Sequence, residues 1–302
     1  MSNAITYSSY GGPDVLTLTE VDAPEPGPGQ VRISVRAASV NPIDLKIRSG
    51  RMAGARPAQF PVRPGLDVAG VVDQAGEGAT ASVGDEVFGV ALGGGYSEYA
   101  LLRQPVPKPT GVSFETAAAL VTVGETAYRG LHQLGVAAGE TLLIHGGGGS
   151  VGTIAVQLAV ARGIAVVATA GEHDLERLTA LGATAVRYGE GWVERVRTAA
   201  PQGVDRVFDT SGAGVLADSA ALTGDAARVI TIADMTAAQH GVRFSSGGPA
   251  DRVEQALPEL AALAAAGRLD LPIGAGYPLA EAARAHADIE ARRVRGKVIL
   301  LP

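Results

Sequence analysis

The sequence predicts an α/β protein in which a β-rich domain precedes a doubly wound parallel-sheet domain. The first hundred or so residues form short strand-like runs separated by glycine and proline turns. From about residue 113 the composition changes to alanine-rich helix, and then strands alternate with helices, as in parallel sheets. A chain of 302 residues is long enough for two such domains.

In the β-rich half, strands are expected at residues 31–40, 70–72, 86–90 and 96–102. Each is rich in apolar and β-branched residues, and turn clusters such as 24–29 and 93–95 lie between them. Two helices then follow, at residues 114–120 and 126–134.

In the second half, apolar runs alternate with helical patterns. The predicted strands are 141–145, 165–169, 185–188, 206–209 and 227–232, and the helices between them include 151–162, 175–181 and 193–199. A helix at 252–266 and strands at 271–277 and 297–301 close the chain. We expect this last part to return to the first domain, which gives one domain of residues 1–115 with 260–302 and a second of residues 116–259.

A glycine-rich stretch follows the buried strand at 141–145 and precedes a helical pattern. Gly147, Gly149 and Gly152 fit the spacing G-x-G-x-x-G, in which the glycines allow a tight turn and close approach of the backbone to a phosphate. The free amides of the helix N-terminus then bind the anion. The candidate pyrophosphate-binding residues are Gly147, Gly148, Gly149, Ser150, Val151 and Gly152.

The same stretch in another frame fits G-x-S-x-G, the nucleophile motif of α/β-hydrolases, with Ser150 as the nucleophile. Aspartates and histidines follow it in the order of that fold; they are Asp209 or Asp234, then His240 or His286. This hydrolase hypothesis leaves the β-rich domain unexplained.

The composition excludes several other functions. The absence of cysteine rules out disulfides, thiolate catalysis and cysteine-liganded metal centres. The five histidines show no zinc-protease spacing, so no metal site is expected. With a net charge of −6 and no basic run, nucleic-acid binding is not expected. No leader or membrane-spanning pattern is evident, and a cytoplasmic protein is the expectation.

Motifs along nearly the whole chain resemble one family. They are the segments 38–44 (ASVNPID), 64–70 (PGLDVAG), 84–89 (GDEVFG), 95–99 (GYSEY), 107–109 (PKP), 126–128 (TAY), the glycine stretch and 295–298 (RGKV). In this order and spacing they resemble the zinc-independent, quinone oxidoreductase-like branch of the medium-chain dehydrogenase/reductases. The resemblance implies a GroES-like β-rich catalytic domain and a Rossmann domain.

The zinc branch of that superfamily has a cysteine at the position of Asn41 and a histidine at that of Leu66. Neither replacement supplies the missing ligand, so the resemblance implies reduction without a metal. It implies hydride transfer from NADPH to a quinone or an α,β-unsaturated carbonyl. Alternatives are reduction of an enoyl thioester or of a specialised metabolite. A non-catalytic NADPH-binding protein is a hypothesis of a different class.

Three residues are candidates for the catalytic site. By resemblance Asn41 and Thr122 lie near the nicotinamide, although Asn41 also fits a turn before Pro42 and Thr122 also fits helix packing. Asp44 is the third candidate, and an ion pair with Arg48 four residues on is an alternative for it.

The end of the second parallel strand bears on NADPH against NADH. Its Thr169-Ala170-Gly171 leaves room for a 2′-phosphate, whereas Glu172 directly afterwards would favour NADH if it turned to the ribose. Arg187 could bind the phosphate, and we favour NADPH. The full cofactor-binding set adds Thr126, Thr169, Gly171, His173, Arg187, Tyr188, Thr210, Ser211, Ile232, Ala233 and Lys297.

Lys297 matches a family lysine near the cofactor, with a solvated strand-end lysine as the alternative. By resemblance we also expect a homodimer formed through the edge of the parallel sheet.

Overall fold

The computed structural model describes residues 1–248 and 251–302. They divide into two compact units. The β-rich unit comprises Met1–Thr122 and Leu257–Pro302, and the parallel-sheet unit comprises Val123–Ala256. The predicted α/β class, with one β-rich and one parallel-sheet domain, is confirmed.

In chain order the strands are β1 (Ser2–Thr6), β2 (Thr17–Val21), β3 (Val31–Val40), β4 (Asp67–Ala75), β5 (Glu86–Leu92), β6 (Tyr99–Leu102), β7 (Val106–Pro107), β8 (Thr141–His145), β9 (Ala165–Ala170), β10 (Thr184–Arg187), β11 (Arg206–Asp209), β12 (Val229–Thr231), β13 (Arg243–Phe244), β14 (Ile273–Pro278) and β15 (Lys297–Leu301). The helices are α1 (Pro42–Arg48), α2 (Phe114–Leu134), α3 (Ser150–Ala161), α4 (Leu175–Ala180), α5 (Trp192–Ala199), α6 (Leu216–Thr223), α7 (Ala256–Ala265) and α8 (Ala282–Glu290).

The β-rich unit is built on a seven-stranded sheet. Its order is β14-β15-β3-β4-β5-β6, with β7 beside β5, and β3 also pairs with β6, so that β3 to β6 close on themselves. The C-terminal strand β15 runs antiparallel to β3. The central strands carry the apolar core, which includes Ile33, Val68, Leu102 and Leu300.

The parallel-sheet unit contains six strands in the order β10-β9-β8-β11-β12-β13, all parallel. All five residues of β8 are buried, as expected for a central strand covered on both faces. The strand order reverses between β8 and β11. In open sheets of this type, ligands bind at the carboxyl ends of the strands beside such a reversal.

Helix α2 is continuous where the sequence predicted two helices, at 114–120 and 126–134. The β-branched Val121 and Val123 and the following Gly124 disfavour a helix by intrinsic propensity. Both valines are buried, and their packing outweighs that preference.

Several short elements were missed because their patterns are weak. They are β1, β2, β13, α6 and α8, none longer than nine residues. The predicted strand 96–102 begins only at Tyr99, because the Tyr96 amide donates to Pro64 in a turn. Within the described residues, no helix is both long and apolar enough to span a membrane.

Candidate active site

A buried polar cluster lies at adjacent strand ends of the β-rich unit. Asn41 directly follows β3, Asp67 begins β4 and Lys297 begins β15, and these three strands are neighbours in the sheet. Thr122 lies on α2. All but the half-buried Thr122 are buried, so their polar atoms must find partners within the protein.

In this cluster the side-chain amide of Asn41 lies between the amino group of Lys297 and the carboxyl group of Asp67. Lys297 Nζ donates to Asn41 Oδ1 at 2.6 Å and to the carbonyl of Val40 at 3.2 Å. Asn41 Nδ2 in turn donates to Asp67 Oδ2 at 2.7 Å. Thr122 holds the carboxylate through its hydroxyl at 2.6 Å and its amide at 3.1 Å. The structure thus brings together three of the predicted residues around an aspartate that the sequence analysis had not singled out.

Lys297 is 3% exposed, which excludes the alternative of a solvated strand-end lysine. Lys297 begins strand β15, whose first four residues are all buried. Burial lowers the pKa of Lys297, and the charges of Asp67 and Asp44 oppose that shift. Burial likewise raises the pKa of Asp67, against the effect of Lys297. A cation held in such surroundings interacts with a nearby negative oxygen far more strongly than it would in water.

Asp44 lies in the first turn of α1, three residues after Asn41, which caps the start of that helix. Its Oδ2 accepts the Asn41 amide at 2.8 Å and the Tyr96 hydroxyl at 3.0 Å. Burial raises the pKa of Asp44 to about 7, even though these two hydrogen bonds oppose the shift. The expected ion pair with Arg48 is wrong: Asp44 folds back onto the start of the helix, and Arg48 pairs with Glu290 of α8 instead.

In the parallel-sheet unit, the glycine stretch forms a tight loop between β8 and α3. Gly147 N donates to Thr169 O at 2.9 Å, and Gly149 N donates to Gly146 O at 3.0 Å. The amides of the first helical turn, at Ser150, Val151 and Gly152, point away from any intrahelical partner and remain available to an anion.

A side chain would clash with its surroundings at several positions of the loop. A Cβ on Gly152 would lie 2.2 Å from Gly146 O, and one on Gly148 would lie 2.5 Å from Asp174 Oδ2. Arg177 on α4 donates to Gly148 O at 3.2 Å and so braces the loop. The donor set and the bare backbone fit a dinucleotide pyrophosphate.

The residues at the ends of β9 and β10 are mostly at the surface. Arg187 and Glu172 form an exposed ion pair, with 3.7 Å between Nη1 and Oε2. His173 and Tyr188 are also exposed, and the Tyr188 ring lies beside Gly171. Both members of the ion pair are therefore available to a ligand.

The side chains of several other predicted cofactor residues are hydrogen-bonded within the parallel-sheet unit. The Thr169 hydroxyl bonds His145 Nδ1 at 3.1 Å, and Thr210 Oγ1 donates to His145 O at 2.7 Å. Ser211 Oγ donates to Asp209 at 2.7 Å, and Thr126 Oγ1 accepts from Arg129 at 3.3 Å. Backbone groups and apolar surface are therefore what this set offers a ligand, together with Ile232 and Ala233 after β12.

The hydrolase geometry is not assembled at Ser150. Asp209 accepts hydrogen bonds from Ser211, Gly212 and Thr231, not from a histidine. His286 bonds Arg48 and Tyr96 through its two ring nitrogens. Within the described residues no histidine is hydrogen-bonded to Ser150, so the motif lacks a general base there.

The sequence analysis did not single out Asp67 or Tyr96, and it considered His286 only for the hydrolase hypothesis. Asp67 did carry a signal, since a carboxylate at the head of the apolar strand DVAGVV needs a buried partner. Tyr96 and His286 lie 190 residues apart in the chain, and no local pattern connects them.

Comparisons with known proteins agree with this architecture. Residues 27–110 match the alcohol dehydrogenase GroES-like domain, and residues 181–300 match the zinc-binding dehydrogenase family. The chain is 33% identical to the quinone oxidoreductase of Rattus norvegicus, over all of this chain and 98% of the relative. It is 34% identical to the 2-methylene-furan-3-one reductase of Solanum lycopersicum, over 99% of this chain and 79% of that protein.

Among solved structures, a mycobacterial protein in complex with NADPH superposes with a TM-score of 0.86 at 30% identity. All of both chains is covered.

Proposed function

The chain belongs to the zinc-independent, quinone oxidoreductase-like family of medium-chain dehydrogenase/reductases, and from that premise we propose that it is an NADPH-dependent reductase of quinones or α,β-unsaturated carbonyl compounds. The observation that carries the proposal is the buried Lys297 ammonium bound to Asn41 Oδ1 at 2.6 Å. Asn41 stands where the zinc branch has a metal-ligating cysteine, so a cation built into the chain lies at that position.

We assign acceptor binding to the β-rich unit and NADPH binding to the parallel-sheet unit. The pyrophosphate would be held by the first-turn amides of α3 at Ser150, Val151 and Gly152. Bound NADPH would supply the hydride. The remaining cofactor contacts in this proposal are Thr126, Gly147, Gly148, Gly149, Thr169, Gly171, His173, Tyr188, Thr210, Ser211, Ile232 and Ala233.

The choice of NADPH over NADH is supported by Arg187. Its ion pair with Glu172 spans 3.7 Å, and both side chains are about two-thirds exposed, so the pair is weak. A phosphate monoester offers more charge and a bidentate geometry to the guanidinium. Arg187 therefore exchanges Glu172 for a 2′-phosphate at little cost.

Hydride addition to a quinone or enone leaves negative charge on the carbonyl oxygen of the acceptor. Lys297 spends two of its three N–H groups on Asn41 and Val40, which leaves one for that oxygen. Such a preorganised donor is worth roughly a factor of 10²–10³ in kcat. Thr122 acts through Asp67, which it holds in place, and Asp44 acts through Asn41.

The relative from Solanum lycopersicum, a 2-methylene-furan-3-one reductase, supports enones as a second candidate class beside quinones. Both acceptor classes generate the same oxyanion, so one cationic site serves either.

The test is a screen of NADPH oxidation against quinones, enones and enoyl thioesters, in wild type and Lys297→Met. We expect turnover with quinones or enones, and a loss of roughly 100-fold in kcat in the variant with NADPH affinity retained. Lys46→Met is the matched control, since Lys46 is a partly exposed lysine of the same unit on α1.

Three outcomes would overturn the proposal. Tight NADPH binding without oxidation by any acceptor would identify a non-catalytic nucleotide-binding protein, and a clear preference for NADH would refute the cofactor assignment. A preference for thioesters would identify an enoyl reductase. The cytoplasmic location and the homodimer stay predictions, and light scattering on the purified protein checks the latter.

A further inference from the structure

A line of polar side chains crosses the β-rich unit from its surface to Asp44. Glu290, with 38% of its side chain exposed, bonds Arg48 Nη2 at 2.5 Å. Arg48 Nη1 lies 3.2 Å from His286 Nδ1, and His286 Nε2 lies 3.3 Å from the Tyr96 hydroxyl. Tyr96 then donates to Asp44 Oδ2 at 3.0 Å. All four of the residues Arg48, His286, Tyr96 and Asp44 are buried.

Arg48 fixes the direction of each hydrogen bond between itself and Asp44. Arginine has donors only, so Arg48 must donate to His286 Nδ1. His286 therefore carries its proton on Nε2 and donates to Tyr96, which leaves the Tyr96 hydrogen for Asp44. Burial and the charge of Arg48 lower the pKa of His286 to about 3, so the ring stays neutral at working pH.

The same reasoning excludes a proton relay to the surface. A relay would require Arg48 to lose and regain a proton, and a guanidinium does not do so in proteins. The line therefore delivers no protons. The line orients the Asp44 carboxylate and stabilises its negative charge.

The charges that surround Asp44 show what this stabilisation serves. The titratable groups that interact with Asp44, from the elements packed against it, are Tyr7, Asp67, Tyr96 and Lys297. Burial raises the pKa of both tyrosines, which are therefore neutral at working pH. Arg48 is already paired with Glu290. The cation left for the Asp44 carboxylate to act on is Lys297, whose pKa its charge raises.

We propose that Tyr96 and His286 are positioning residues for the Lys297 site: they hold the Asp44 carboxylate on the backbone N–H of Asn41, where its negative charge, together with that of Asp67, stabilises the ammonium form of Lys297. This inference rests on the proposed function only in what Lys297 then does for the acceptor. The hydroxyl of Tyr96 stabilises the ionised form of Asp44, and activity depends on that form. Activity therefore falls as the pH drops below about 7, the pKa of Asp44.

The test is Tyr96→Phe, which keeps the ring packed over Gly65 and removes one donor to Asp44. Loss of a hydrogen bond to a carboxylate is expected to move the acid limb of kcat up by about one pH unit. KM for NADPH is expected to stay unchanged. Tyr277→Phe is the matched control, because the Tyr277 hydroxyl also bonds a carboxylate of the same unit, Asp288, at 2.7 Å. In the control the limb stays where it is.

His286 allows a rescue experiment. His286→Leu removes the donor to Tyr96 and is expected to move the acid limb of kcat to higher pH. His286→Gln keeps an oxygen for Arg48 and an N–H for Tyr96, and it is expected to return the acid limb to its wild-type position. A merely structural role would lower stability in both variants without moving the limb. Unchanged limbs in Tyr96→Phe and His286→Leu would overturn the inference.

A readout without turnover separates this inference from the proposed function. In ¹³C-carboxyl NMR of the cofactor-free protein, the Asp44 titration is expected to shift upward in Tyr96→Phe and not in Tyr277→Phe. If wild type reduces no acceptor but the titration shifts, the proposed function fails and the positioning role stands. If the enzyme is active and the titration does not shift, the positioning role fails alone.

Discussion

Replacing Asp44 with asparagine is expected to stabilise the protein at alkaline pH. Burial raises the pKa of the Asp44 carboxyl from 3.8 to about 7. In the unfolded chain the group lies in water and ionises at its ordinary pKa. The folded protein therefore keeps a proton that the unfolded chain has released between about pH 4 and pH 7, and its stability falls as the pH rises through that interval.

The size of this loss follows from the shift. A change from 3.8 to about 7 corresponds to roughly 4 kcal/mol in the free energy of unfolding. Asparagine offers an oxygen to Asn41 N and Tyr96 OH and does not ionise, so it resembles the protonated aspartic acid. Asp44→Asn is therefore expected to match wild type near pH 4 and to exceed it by about 4 kcal/mol, or about 6 °C in Tm, near pH 8.

Thermal and urea unfolding of both proteins across this pH range measure the difference. Titrating groups that do not interact with Asp44 are common to both proteins and cancel in the comparison. Asp288→Asn is a control of opposite sign, because hydrogen bonds from Tyr277 and Arg293 lower the pKa of Asp288, so its ionised form contributes stability above its unfolded pKa. The reasoning fails if the difference between Asp44→Asn and wild type is constant with pH, or if the variant is the less stable protein near pH 8.

Three further predictions concern the parallel-sheet unit. Arg187→Ala is expected to weaken NADPH binding by ~10-fold and leave NADH binding unchanged, measured by cofactor fluorescence titration; equal losses for both would contradict a 2′-phosphate contact. Arg195 donates to the carbonyls of Arg187 and Glu190 at 2.9 Å each, so Arg195→Ala is expected to raise KM for NADPH by ~3-fold with kcat unchanged, whereas Arg197→Ala on the same helix has no effect. Gly152→Ala is expected to cost ~2 kcal/mol of unfolding free energy and to weaken NADPH binding by more than ~10-fold, and wild-type affinity would show that the loop tolerates the methyl group.

The sequence was sufficient for the parts of the fold that depend on local pattern. The glycine spacing at 147–152 and the alternation of strands and helices predict the order of elements in the parallel-sheet unit. Helix α2 was split in the prediction because its middle residues have low helix propensity, and only tertiary burial makes it continuous. The antiparallel pair β1 and β2 was missed because its strands are short and depend on pairing with each other.

In the candidate site, residue type was predictable and partnership was not. Asn41, Thr122 and Lys297 stand at positions that resemble family motifs, but nothing local shows that they meet at Asp67. The alternative of an Asp44–Arg48 ion pair used the helical spacing of four, which is sound for an exposed helix. It failed because Asp44 and Arg48 are both buried and bond to different elements, Tyr96 and Glu290.

In the proposed function, the position of the Asn41 side chain between Lys297 and Asp67 would allow a lysine to serve in place of a metal. A carboxylate in direct contact with the ammonium would cancel much of its field and occupy its N–H groups. The side-chain amide of Asn41 accepts a hydrogen bond from Lys297 at 2.6 Å and donates one to Asp67 at 2.7 Å. The Asn41 side chain therefore separates Lys297 from Asp67. Attraction between the two groups would then offset part of the cost of burying them, and an ammonium with two hydrogen bonds to the protein would keep a third N–H for the acceptor. The proposal therefore gives asparagine a part of its own in the site, since its side chain is neutral and both accepts and donates a hydrogen bond.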